Sequence, residues 1–165
     1  MVKRKQGASY IRNFVFGVED SLASTAGLLA GVASAGVEGK VIVISGVVLI
    51  FVEAFSMGVG SLISENAALE YEKRKESSYR KSALGALIMF LSYILAGFIP
   101  LFPYIVFSHD VAFVLSISLS LLTLFVLGAV AARLSGTGIL RNALSVLSIG
   151  GIAVIVGVLV GFVVK

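Results

Sequence analysis

Five long apolar blocks, nearly free of charged residues, dominate the 165-residue chain. A helix needs about 20 such residues to cross the hydrocarbon core of a bilayer. Backbone groups in lipid must also form their hydrogen bonds within the segment, which favours helices. The pattern therefore predicts an all-α integral membrane protein with five transmembrane helices, at approximately residues 14–37, 41–63, 83–107, 111–132 and 143–164.

Composition excludes several other classes of protein. Hydrophobic residues make up 58% of the chain and charged residues only 13%, against about 25% charged in soluble domains. The absence of cysteine excludes disulfides and thiolate metal sites, and a single histidine, His109, excludes a His-rich metal site within one chain. The first block is too long for a cleavable signal peptide and contains two acids, so we expect residues 1–165 to form a single transmembrane domain.

The basic residues are sorted by topology. All except Lys40 and Lys165 lie before the first apolar block, between the second and third, or between the fourth and fifth. Basic residues accumulate on the cytoplasmic side of membrane proteins, so we expect a cytoplasmic N-terminus and a C-terminus outside. The net charge of +4 thus reports orientation and implies no nucleic-acid partner. If the cell is prokaryotic, the expected location is the plasma membrane.

The segment after the second block contains neither proline nor glycine, so we expect the second helix to extend into the cytoplasm to about residue 82. The first helix carries Ala23, Gly27, Gly31 and Ala35 at four-residue spacing. Such a stripe allows close helix packing, either within one chain or between two copies. Five helices do not divide into two equal repeats, so a two-fold homodimer is the natural route to a symmetric pathway.

Three acidic residues lie within the apolar blocks: Glu19 and Asp20 in the first, and Glu53 near the centre of the second. A charge at that depth costs about 2.5–3.5 kcal/mol, so it normally faces a protein interior, a water-filled cavity or a partner. No basic residue lies at matching depth in any block. Protonation, hydrogen bonding or a bound cation remain as explanations for these acids.

Met57 follows Glu53 by one helical turn and shares its face. If the first two helices are antiparallel neighbours, Asp20, Glu53 and Met57 converge on one space. Carboxylates bind hard cations, and a thioether adds preference for softer ones, so the set suits a divalent transition-metal ion. The alternatives are that Met57 fills the core and that the two acids are neutral and hydrogen-bonded.

Beyond the second apolar block, Glu65, Glu72 and Glu76 recur at helical spacing and share one face. In a dimer, two such stripes would concentrate cations near a pathway entrance. The alternative is that these glutamates belong to a solvent-exposed charged face of the helix and form ion pairs with nearby basic residues.

Several segments together carry a resemblance to a known family. They are FGVEDSLAST (16–25), GLLAGVASAG (27–36), SMG (56–58), IPLFPY (99–104) and RNALSVLSIGG (141–151). In this combination, which spans nearly the whole chain, the sequence resembles the vacuolar iron transporter family. The aspartate of that family's first-helix signature falls on Asp20.

The resemblance implies a homodimer of five-helix protomers with a metal pathway at the two-fold interface, lined by helices 1 and 2. It also implies proton-coupled export of ferrous or manganous ions, with Asp20 and Met57 in the pathway. The chain departs from the family in three ways: Glu19 replaces an asparagine, Ser61 stands where a glutamate is common, and the connection after helix 2 is too short for a cytoplasmic metal-binding domain.

Two other functions remain as alternatives. An intramembrane hydrolase would use Asp20 and Glu53 as an acid pair, although the sequence contains no HExxH, GxSxG or phosphate-loop motif. A transport-inactive membrane scaffold would need none of these acids. We expect a transporter rather than an enzyme, with divalent ions, protons and the lipid bilayer as partners. Metal binding by the purified protein distinguishes transport, which requires it, from the other two functions, which do not.

Overall fold

The computed structural model describes residues 2–74 and 79–165, which form a bundle of α-helices. In chain order these helices are α1 (Val2–Ser34), α2 (Gly39–Lys73), α3 (Arg80–Val106), α4 (His109–Ser135) and α5 (Ile139–Val164). Each of the five contains a stretch long and apolar enough to cross a membrane. The predicted helix count is therefore confirmed. We call the end of the bundle at which α1 begins the basic end.

The helix boundaries differ most from those expected at two places. The first helix begins at Val2 rather than near residue 14, because the polar residues before the apolar block continue the same helix. The second helix ends at Lys73 and does not run to residue 82. Arg74 adopts the left-handed conformation (φ 55°) and its guanidinium lies 5.4 Å from the centre of the Tyr71 ring. A left-handed residue at this position ends the helical hydrogen-bond ladder.

Helix α1 is the centre of the bundle and packs against all four of the other helices. Its inward-facing residues repeat every three or four positions, as expected for a helix buried on more than one side. They include Leu22, Ala26, Leu29, Ala30 and Ala33, all nearly inaccessible to solvent. Functional residues on α1 are thus held by packing on several sides.

The small-residue stripe of α1 packs against α5 of the same chain. A Cβ on Gly31 would lie 2.6 Å from the carbonyl oxygen of Gly157, and one on Gly27 would lie 3.1 Å from that of Ala153. Gly161 in turn faces the backbone of Gly31. The sequence left open whether this stripe joins two copies or two helices of one chain. Gly27 and Gly31 serve the contact within the chain.

Helix α2 packs mainly against α3 and less extensively against α1. Its outward side exposes large apolar residues over much of its length, including Val48, Val52, Phe55 and Ile63. This exposure is normal for a surface that faces lipid or another apolar partner. The looser packing between α1 and α2 leaves a groove that contains the candidate site.

Candidate functional site

An open groove of about 930 Å³ lies between α1 and α2 and runs from the basic end toward the middle of the bundle. It is lined by α1 from Ser9 to Glu19, by α2 from Ser56 to Glu72, and by Met89 of α3. Most of its lining is apolar, as in many ligand sites, with a small number of polar groups.

Four of the residues predicted from the sequence line this groove: Glu19, Met57, Glu65 and Glu72. Glu19, Met57 and Glu65 are half-buried, whereas Glu72 is exposed. Met57 lies on the wall of an open groove, so its side chain is not enclosed in the packed core. Glu76, the last member of the predicted acidic stripe, lies outside the described residues.

Asp20 and Glu53 lie beyond the inner end of the groove. Asp20 follows Glu19 on α1, and Glu53 is one turn deeper than Met57 on α2. Both carboxyl groups are half-buried, and they are close enough to repel one another electrostatically. The two acids thus lie near one another, whereas Met57 lies on the groove wall, and the convergence of all three on one ion stays a prediction.

Tyr93 of α3 supports the α1 side of this acid pair. Its ring is fully buried, its hydroxyl is 2.7 Å from Ser24 Oγ, and its carbonyl oxygen accepts a 2.6 Å hydrogen bond from Ser21 Oγ. Ser24 lies one helical turn beyond Asp20 on the same helix. Tyr93 thus fixes the helical turn that carries Asp20, a role that the sequence analysis did not assign.

The sequence analysis also missed polar residues at the basic end of the groove. Arg12 and Asn13 both line it, and Asn13 is only 2% exposed. Asn13 Nδ2 and Ser61 Oγ are buried and form no hydrogen bond with any described residue. The sequence signal for these residues was Asn13 itself, an asparagine at the start of an apolar block. A buried amide normally has hydrogen-bond partners, so its position indicates other polar groups nearby.

Metal-binding capacity within one protomer is limited. Among the residues that the structure describes, no three His, Cys, Asp or Glu side chains are grouped closely enough to hold a metal ion. One chain therefore brings together a carboxylate pair and, one turn away, a thioether. Carboxylates in such small number suit a cation that keeps part of its water shell, unless a second copy of the chain adds ligands.

The family model described as "VIT family" matches residues 11–84 and 70–162. Vacuolar iron transporter 1 of Arabidopsis thaliana is 36% identical over 87 residues, which make up 52% of this chain and 35% of that relative. The chain thus matches only about a third of the length of this curated relative.

The two matched ranges of the family model together cover nearly all of the five-helix bundle, including both helices that form the groove. The chain is therefore a multi-pass integral membrane protein that belongs to the VIT family.

Proposed function

We propose that this protein is a transporter that exports a divalent transition-metal ion, ferrous or manganous, from the cytoplasm in exchange for protons. The observation that carries the proposal is the groove between α1 and α2, which runs from the acids of the basic end to Glu19 and Met57. Asp20 is the next residue after Glu19, and Glu53 lies one helical turn beyond Met57. Membership of a family of transporters supports it and argues against the hydrolase.

The ligand chemistry supports a transition-metal ion. Carboxylates of Glu19, Asp20 and Glu53 attract any divalent cation, whereas the thioether of Met57 favours softer ions. An ion that moves from Glu65 toward Asp20 passes from oxygen ligands alone to a mixed oxygen and sulfur environment. The resulting selectivity favours ferrous iron over magnesium or calcium.

Proton coupling follows from the position of the acid pair. A carboxylate inside a membrane span normally needs a partner, and in our proposal the partner at this pair is a metal ion when the site is loaded and a proton when it is empty. A divalent ion binds the deprotonated groups and displaces that proton. Unloading on the far side lets a proton return, so metal export and proton entry share one pair of side chains.

A two-fold homodimer completes this proposal. One protomer supplies too few clustered ligands to enclose an ion among its described residues, and its groove is open on one side. A symmetric partner placed along α1 and α2 would bring a second Asp20, Glu53 and Met57 to the same axis. The apolar exposed face of α2 suits such a contact. The basic end would then face the cytoplasm, and if the cell is prokaryotic the membrane would be the plasma membrane.

The test is transport by the purified protein in proteoliposomes loaded with a pH-sensitive dye, with an imposed Mn²⁺ gradient. Wild type should carry Mn²⁺ with counterflow of protons, and Asp20→Asn should lose both fluxes, at least about 10-fold. Asp110→Asn is the matched control, because Asp110 is the only other aspartate and lies exposed in the first turn of α4.

Equal Mn²⁺ flux in wild type and Asp20→Asn would show that this acid is structural. Metal flux without proton counterflow would remove the coupling but leave metal transport. Failure of the wild type to bind or carry any divalent ion would favour the scaffold function.

A further inference from the structure

Buried and half-buried polar residues at the basic end of the groove form a second cluster, separate from the Asp20–Glu53 pair. Ser9 and Asn13 lie one turn apart on α1, and Ser61 and Glu65 lie one turn apart on α2. All four line the groove. We call them the entrance cluster.

Gly85 of α3 creates the space in which two members of the entrance cluster meet. A Cβ at Gly85 would lie 2.6 Å from Asn13 Nδ2 and 2.7 Å from Glu65 Oε2. Any side chain at this position would therefore collide with both polar atoms. The absence of a side chain at residue 85 lets the amide and the carboxylate face the same small volume.

The polar atoms of this cluster are only partly satisfied. Ser9 Oγ donates a 2.8 Å hydrogen bond to Glu65 Oε1. Glu65 Oε2, Asn13 Nδ2 and Ser61 Oγ are buried and form no hydrogen bond within the described part of the chain. Asn13 is 2% and Ser61 8% exposed. Three such atoms beside one groove indicate a ligand that interacts with them, since buried polar groups normally have partners.

The charge of the cluster indicates what that ligand is. Glu65 brings a carboxylate, and Arg12 on the same groove donates no hydrogen bond to Glu65 Oε2 within the described residues. Hydroxyl oxygens and the asparagine amide, which presents Oδ1 after a half-turn, supply further neutral oxygen ligands. A single carboxylate with neutral oxygens suits a hard divalent cation that keeps part of its water shell.

We propose that Ser9, Asn13, Ser61 and Glu65 form a loading site for a hydrated divalent cation, which the ion occupies before it reaches Met57 and the Asp20–Glu53 pair. The assignment rests on the transport function proposed above and adds to it a first binding step made by oxygen ligands alone. This site discriminates weakly among divalent ions. Selection of transition metals then occurs at the inner site, by which we mean Asp20, Glu53 and Met57, because only that site includes a thioether.

The first experiment measures Mn²⁺ binding to the purified protein by electron paramagnetic resonance, with Asp20→Asn as the background. This background removes an inner-site ligand and leaves the entrance cluster intact. Adding Glu65→Gln, which keeps the shape of the side chain, should weaken the remaining Mn²⁺ binding by about 10-fold or more. Adding Glu38→Gln, a substitution in the exposed residue before α2, should leave it unchanged.

A second pair of variants blocks the site without removing any ligand. Gly85→Ala places a methyl group against Asn13 and Glu65 and should also lower Mn²⁺ affinity. Gly7→Ala is its control, because a Cβ at that position meets no atom within 4 Å among the described residues beyond its own helical turn. In proteoliposomes, Glu65→Gln should raise the KM for Mn²⁺ about 10-fold and leave the maximal rate close to wild type.

The outcomes separate the loading site from the transport function. If the Asp20→Asn variant and the double variant that also carries Glu65→Gln bind Mn²⁺ with equal affinity, the loading site is overturned. The cluster would then hold water. Transport that depends on Asp20 would survive that result. Wild-type protein that neither binds nor carries Mn²⁺ would overturn both proposals. A Glu65→Gln defect confined to the maximal rate would contradict a role in loading.

Discussion

Substitution of Gly31 by alanine tests how closely α1 and α5 approach one another. The added Cβ would lie 2.6 Å from the carbonyl oxygen and 3.1 Å from the carbonyl carbon of Gly157. Normal contact is about 3.5 Å, so the two helices must separate locally by roughly 1 Å. The obstructing atoms are backbone, so no side-chain rotation relieves the clash.

The expected loss of stability follows from two opposing terms. Overpacking of this kind costs about 1–3 kcal/mol, and alanine recovers up to about 1 kcal/mol through its higher helix propensity. We therefore expect Gly31→Ala to lower the free energy of unfolding by about 1–2 kcal/mol. Gly7→Ala in the same helix meets no neighbouring atom and should raise it by about 0.5–1 kcal/mol.

The measurement is reversible unfolding by sodium dodecyl sulfate in mixed micelles, followed by circular dichroism, because the chain contains no tryptophan. Protein concentration adds a second test. A contact within the chain gives a loss that is independent of concentration, whereas a contact between copies gives one that grows with concentration until both proteins are fully dimeric. Gly31→Ala at wild-type stability, or with a concentration-dependent loss, would refute the packing described here.

Three further predictions concern the inner site and are measured by Mn²⁺ flux in proteoliposomes and by the same unfolding assay. Glu53→Gln should lower flux at least about 10-fold with the fold intact; flux at wild-type level would exclude Glu53 from the pathway. Met57→Leu conserves volume, costs less than about 1.5 kcal/mol and should reduce the preference for Fe²⁺ over Mg²⁺; unchanged ion competition would return Met57 to a packing role. Tyr93→Phe removes the partner of Ser24, should destabilise by about 1 kcal/mol and should slow flux; loss of stability alone would make Tyr93 purely structural.

The five helices were predictable because length and hydropathy are local properties of the sequence. Their ends were less predictable. Nothing in the residues before the apolar block stops a helix, so α1 extends to Val2. At the end of α2 the sequence offered no glycine or proline, yet Arg74 takes the left-handed conformation that ends the helix. Non-glycine residues rarely adopt it, which is why the pattern favoured continuation.

The inner site was partly predictable because helical spacing alone relates Glu53 to Met57, and a short connection brings α1 beside α2. Tyr93 was not predictable in the same way. Its hydrogen bonds join α3 to α1 across the bundle, and no spacing within one helix encodes them. The same holds for Gly85, whose significance depends on Asn13 and Glu65 from two other helices.

Residues of the predicted acidic stripe of α2 share one helix face in the sequence pattern, but they differ in solvent exposure because of their positions in the bundle. Glu65 is half-buried, accepts a hydrogen bond from Ser9 and faces Gly85, whereas Glu72 is exposed. An exposed carboxylate attracts cations only over a Debye length of about 8 Å at physiological salt. Its contribution to ion capture should therefore fade as ionic strength rises. A half-buried carboxylate with an unpaired buried oxygen is screened less, so cation binding at Glu65 should persist under the same salt.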